Sequence, residues 1–256
     1  MSIPKDITED KGLYEWSILS FYRGSIAHGM YVPKSIDDKD VMSICVPDKE
    51  YFYGLRTYGS RGTREIKKDE WDIVIYEIRK YLSLLAQGNP NVLSSLWLDE
   101  NYYINMTPAG FLILAHKHLF VGKHAYRPFM GYARSQRTHM TRYSEYHGHM
   151  GNKRKELFKQ FGYDCKNAAH LIRLLRMGVE FLYEGKLHVT RYDAKELLSI
   201  KRGEWSLEQV DKEADHWFEL LDQAYLQSDL PDAPDYDEIN RLAITVVETA
   251  YKERII

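Results

Sequence analysis

The chain has 256 residues, 44% of them hydrophobic and 13% aromatic, enough for one large packed domain or two smaller ones. A formal net charge of −2 leaves no overall electrostatic footprint for a polyanion, so contact with nucleic acid would have to come from a local patch. Two cysteines, Cys45 and Cys165, supply neither a disulfide framework nor a metal knuckle, the N-terminus lacks the pattern of an export signal, and no window reaches the roughly 20 apolar residues of a membrane span; a cytoplasmic setting without membrane contact is expected.

Residues 16 to 22, WSILSFY, are apolar and aromatic enough to predict a buried strand, which Gly24 ends. ILSFYRGSIAHGM reads as strand, tight turn and short helix. KDVMSICVP predicts a second strand, closed by Pro47. The following stretch, YFYGLRTYGSRG, holds three glycines and two arginines and predicts an exposed, mobile loop. Trp71, Val74, Ile75, Ile78, Leu82 and Leu85 then recur at helical spacing up to Gly88 and Pro90, while WDIVIY suits a strand feeding that helix equally well; periodicity leaves both open. Beyond about Leu98 helical patterns dominate: AGFLILAHKHLF, RKELFKQFGY, DCKNAAHLIRLLRMGVEFLYEG and two C-terminal helices. The expected division is an N-terminal α/β part and a C-terminal helical part meeting near residue 105.

In a strand, residues two apart face the same side, so Asp38 and Asp40 in DDKDVMSICV project together while Lys39 points away. Two carboxylates held side by side repel, and a divalent cation removes the conflict. Magnesium suits them, because it takes a few carboxylate oxygens and keeps other positions for water and phosphate. Gly24 lets the backbone approach a ligand closely, and Ser25 offers a hydroxyl and free N–H groups to a phosphate. IDDKD also allows Asp37 and Asp38 as the pair; Asp38 and Asp40 are preferred because VMSICVP then aligns to the strand end.

These residues resemble the polymerase-β-like nucleotidyltransferases, and in detail a predicted bacterial and phage branch linked to RNA repair. The matching positions are Gly24, Ser25, Ala27, His28, Gly29, Pro33, Ser35, Asp38, Asp40, Ile44 and Pro47, with Ser43 where a glycine is usual. The likeness continues through DIVIYEIRKYLSLLAQGNPNVLSSLW and KNAAHLIRLLRMGVEFLYEGKLHVTR. It implies an α+β fold: a small mixed β-sheet nucleotidyltransferase domain over 1–105, followed by an all-helical domain over 106–256 that completes the cleft. It also implies a nucleoside triphosphate seated by Gly24, Ser25, His28 and Gly29, with Mg2+ or Mn2+ held by the aspartates.

Members of this superfamily generally add a third acid from a neighbouring strand. Asp72 is the choice here, with Glu77 and Glu65 as alternatives and a helix N-terminal acid as the competing structural role. In the segment from Asp164 to Tyr183, Lys166, His170 and Arg173 fall at i, i+4 and i+7, a basic stripe on an otherwise apolar helix. A solvated face is the competing role, but Leu171, Ile172, Leu174, Leu175, Val179 and Leu182 leave little else exposed, so the stripe is expected to line a cleft and to serve nucleotide binding as cations for pyrophosphate or a substrate backbone. His147 and His149 lack a further spaced ligand for zinc. The segment RSQRTHMTRYSEYHGHMGNKRK, which ends in Lys153, Arg154 and Lys155, interleaves Arg and Lys with Tyr and His in a way that suits single-stranded RNA.

The expected activity is magnesium-dependent transfer of a nucleoside monophosphate to a hydroxyl acceptor, an RNA or tRNA end, with release of pyrophosphate. The alternatives are a non-catalytic nucleotide-sensing or RNA-binding module, nucleotidylation of a protein, and phosphate hydrolysis by the same acids.

Overall fold

The computed structural model describes residues 3, 7, 9–36, 38–141 and 152–254, with the backbone alone at 152–155 and 157. In chain order, strand β1 (Ser17–Tyr22) leads into the one-turn helix α1 (Gly24–Ala27), then β2 (Lys39–Cys45), β3 (Thr63–Lys68), β4 (Trp71–Glu77), α2 (Ile78–Ala86), α3 (Pro90–Leu93) and β5 (Tyr103–Met106). Helices follow: α4 (Pro108–Ala115), α5 (Tyr126–Thr141), α6 (Asn152–Phe161), α7 (Cys165–Glu184), α8 (Ala194–Lys201), α9 (Leu207–Gln227) and α10 (Tyr236–Glu253). No described helix is long and apolar enough to cross a membrane. The expected α+β architecture is what the chain adopts.

The chain packs as two compact units, residues 1–120 with 234–256, and residues 121–233. The first holds a mixed five-stranded sheet in the order β3-β4-β2-β1-β5. β1 lies antiparallel to both β2 and β5, β2 parallel to β4, and β3 antiparallel to β4. The central strands are apolar because both of their faces are covered. Val41, Cys45, Ile73 and Ile75 join Leu13, Trp16, Tyr22 and Tyr58 in a buried cluster on one face. Residue 43 is the serine of this run, and its hydroxyl meets Ser17 Oγ at 3.1 Å and Ser20 Oγ at 2.8 Å and donates to the Gly12 carbonyl at 3.2 Å. A buried hydroxyl so bonded carries no desolvation penalty left unanswered.

WDIVIY is a strand, and the helix starts only at Ile78, where the Glu77 side chain accepts from Arg79 N at 3.0 Å. Gly88, at φ +68°, ends the helical turn, and Asn89 caps the next. α4 starts at Pro108 after the Thr107 cap and packs so close to β1 that a Cβ on Gly110 would strike the Ile18 carbonyl. The C-terminal helix belongs to this unit: Tyr251 Oη donates to the Pro47 carbonyl at 2.8 Å, Glu253 accepts from Ala109 N at 2.8 Å, and Arg254 donates to the Val46 carbonyl.

Two expectations change here. The loop 51 to 62 is exposed at Tyr53 and Leu55, but Tyr58 is 2% exposed and donates to Asp10 at 3.1 Å, so its far end is anchored in the core. Strand β3, TREIKK, carries no apolar alternation, and β5 is four residues long; each is ordered by its neighbour in the sheet.

In the second unit α7 is buried along most of its length against α5, α8 and α9. Asp164 caps it by accepting from Lys166 N and Asn167 N, and Gly185 closes it at φ +66°. Arg176 donates to Asp193, Glu196 and Glu213 at 2.7–3.2 Å. Arg191 is held by Glu180 and Asp193.

Candidate active site

The site is built where three strands share one end of the sheet. β1 runs antiparallel to β2, so its C-terminal end lies beside the start of β2, and β4 starts level with β2 because those two are parallel. Asp40, the second residue of β2, is the register partner of Asp72, the second residue of β4. Register partners point to the same face, and Asp38, two residues before Asp40, continues that face just outside the strand. Asp38 is exposed; Asp40 and Asp72 are half-buried.

The turn after β1 is fitted to the same spot. Arg23 N donates to the Asp40 carbonyl at 2.9 Å. Gly24 takes φ +62°, and a Cβ there would collide with the Asp40 carboxylate, so both the backbone conformation and the close approach require glycine. Ser25 follows, buried at 8% exposure, and its Oγ has no hydrogen-bond partner among the described residues. A buried hydroxyl of this kind is costly to leave unpaired and marks a place for a ligand or a water. His28 is buried and closes the turn through its N–H to the Gly24 carbonyl at 3.1 Å, and Gly29 is exposed at φ +70°.

Two cations that the sequence reading passed over flank the carboxylates. Arg23 Nη2 stands 3.8 Å from Asp72 Oδ1 and Lys67 Nζ 3.5 Å from Asp72 Oδ2. Arg23 had a signal in its place directly before Gly24. Lys67 had none, because it depends on β3 pairing with β4, where it is the register partner of Asp72. Among the described residues no three His, Cys, Asp or Glu side chains converge as a ready ion cage. Asp72 is instead turned toward its cations, as expected for carboxylates that would otherwise repel one another. The donor set on this face, three carboxylates with an uncommitted hydroxyl nearby, is all oxygen and suits a hard divalent ion.

The alternatives for the third acid separate by face. Glu77 lies an odd number of residues from Asp72, on the opposite face, and is occupied in capping α2 and pairing with Arg79 at 3.1 Å. Glu65 shares the face but sits on the edge strand opposite Val74, exposed. The helix-cap reading of Asp72 falls away, since it lies within β4.

Lys166, His170 and Arg173 lie on α7 of the second unit. Lys166 is exposed, while His170 and Arg173 are partly buried. The Arg173 guanidinium donates to Met177 Sδ at 3.3 Å, and burial, reinforced by the Arg191 charge, pulls its pKa down to about 9. The segment read as RNA-gripping begins inside α5, where Arg137 is paired with Asp211 at 3.0 Å and Asp215 at 2.6 Å of α9. His147 and His149 lie outside the described residues, as do Asp37 and the side chains of Lys153, Arg154 and Lys155.

Residues 17–245 match the family model described as RlaP: RNA repair pathway DNA polymerase beta family. A comparison with curated proteins gives no match.

Proposed function

Because the chain belongs to the RNA repair pathway DNA polymerase beta family, we propose that it transfers a nucleoside monophosphate from a nucleoside triphosphate to a hydroxyl at an RNA or tRNA end. The observation that carries this reading is the register of Asp40 opposite Asp72 beside the Gly24–Ser25 turn. Asp38, Asp40 and Asp72 would hold Mg2+ or Mn2+, which when bound neutralises charge on the attacking and leaving oxygens.

The chain's own groups do the rest. Ser25 Oγ donates to a phosphate oxygen of the triphosphate, satisfying a hydroxyl that otherwise has no partner among the described residues. Gly24, without a Cβ, admits that phosphate close to the backbone, and His28 and Gly29 hold the turn in shape. The acceptor oxygen attacks the α-phosphorus in line, its proton passes to the Asp72 carboxylate, the bond from the α-phosphorus to its leaving oxygen breaks, and pyrophosphate departs. Arg23 and Lys67, both within 4 Å of Asp72, lower the electrostatic cost of the acidic face before substrate arrives. On the second unit, Lys166, His170 and Arg173 are assigned to binding an anion such as pyrophosphate, since Arg173 has no carboxylate in its hydrogen-bond shell among the described residues.

The test is incubation with each radiolabelled triphosphate, magnesium and total RNA. Label in RNA with pyrophosphate release supports the reading. Label on protein indicates nucleotidylation of a polypeptide, free phosphate indicates hydrolysis, and binding without release of pyrophosphate indicates a sensor.

A further inference from the structure

On the opposite face of the sheet, at the same end as the carboxylates, lies a cavity of about 370 Å3 lined by Tyr22, Ile26, Gly29, Tyr31, Lys39, Asn101 and Tyr102. The volume falls within the roughly 300–1,000 Å3 range of small-molecule sites. Its position follows from strand alternation: Lys39 sits between Asp38 and Asp40 and points to the other side. Ile26 and Gly29 belong to the turn that carries Ser25. A ligand here therefore touches both chain segments that build the acidic site.

The lining selects the ligand's chemistry. Three tyrosines and an isoleucine give broad apolar and aromatic walls, and Asn101 offers both a donor and an acceptor on one exposed amide. The one cation among these lining residues is already engaged, with Lys39 Nζ 2.9 Å from Glu70 Oε1 and 4.8 Å from the centroid of the Trp71 ring. A phosphate would find little free positive charge; a flat, neutral ring with hydrogen-bonding edges would find stacking surfaces and an amide.

We propose that this cavity binds a nucleobase, stacked against Tyr102 and Tyr31 and read at its edge by Asn101. The inference rests on the nucleotide-handling reading above and adds a site to it. The base comes from the incoming triphosphate or from the unpaired end of the acceptor, and the same contacts serve either.

Two probes separate the sources: the triphosphate of 2-aminopurine riboside, and a single-stranded RNA oligonucleotide ending in 2-aminopurine. Each is titrated in EDTA against the full chain, reading the fluorescence quenching that stacking causes. The expected result is saturable quenching of at least one probe, weakened about 10-fold or more by Tyr102→Ala and by Asn101→Ala and kept by Tyr102→Phe. Circular dichroism confirms that each variant is folded, and exposed Asn101 serves as the variant that leaves the core untouched. Asp40→Asn is expected to keep the quenching while losing transfer. Absence of saturable quenching with both probes, or equal quenching in wild type, Tyr102→Ala and Asn101→Ala, overturns the proposal. Tyr102-dependent quenching without transfer by the wild type would sink the transferase reading and leave the base site standing, and transfer with Tyr102-independent binding would do the reverse.

Discussion

Asp40 and Asp72 are register partners across the parallel strands β2 and β4, with the Gly24 backbone pressed against the carboxylate of Asp40. Parallel pairing places them at the same height and on the same face, so their charges add instead of being spread along the sheet. Glu77, in the same strand, is turned to the other face and caps a helix. The strand that offers a third carboxylate thus also shows which of its acids has a structural duty.

Asp40→Asn and Asp72→Asn are each expected to lower transfer by about 10^2- to 10^3-fold, the scale of removing one charge-stabilising group from a reaction centre. Thermal stability should change little, because the like-charge repulsion each substitution relieves is offset at Asp72 by the lost pairing with Arg23 and Lys67. Transfer of label and a thermal melt measure the two effects, and a Tm drop matching the activity loss would point to misfolding instead.

Gly24→Ala meets two obstacles, the positive φ and the Asp40 carboxylate. The expected cost is about 1–2 kcal/mol from the left-handed backbone alone, read by urea denaturation, together with loss of transfer. Full activity in this variant would mean that the turn is not held against Asp40 during the reaction.

Arg176 is 6% exposed and serves three carboxylates, Asp193, Glu196 and Glu213. Arg176→Met leaves Glu196 and Glu213 without their cation and Asp193 with Arg191 alone, and about 3–5 kcal/mol of stability should go with the guanidinium. Denaturant unfolding is the measurement. A loss under 1 kcal/mol would show that water or rearrangement replaces the network.

His124 has both ring nitrogens buried without hydrogen-bond partners among the described residues, and burial holds its pKa below the ordinary histidine value. Its folded pKa is therefore below the unfolded one. The unfolded chain takes up the proton first as pH falls below about 6.5, so the stability present above that value is progressively lost toward the folded pKa. His124→Leu should flatten the fall in Tm between pH 7.5 and 5, and a slope identical to wild type would count against it.

Pyrophosphate is expected to raise the melting temperature through Arg173. A ligand at ten times its Kd adds about 1.4 kcal/mol, equivalent to about 2–4 °C for a chain of this size. Arg173→Ala should remove that shift.

The local order of residues was enough to read β1, the Gly24–Ser25 turn, the start of β2 and helix α7. Each is written in a short run of apolar spacing, glycine and capping residues. It also marked Asp38 and Asp40 as a pair, because alternation within one strand is a property of consecutive residues. The sequence reading passed over β3, since TREIKK gains its order from hydrogen bonds to β4 and not from any apolar face of its own. The same holds for the pairing of Lys67 with Asp72, for Tyr58 at the end of an otherwise polar loop, and for α10 closing back onto the first unit. The sequence alone determined which chemical groups this protein has and how neighbours along a strand or helix face. Only the tertiary structure decided which acid stands opposite Asp40, because register between distant strands is set by the summed packing of the whole sheet, which no local stretch encodes.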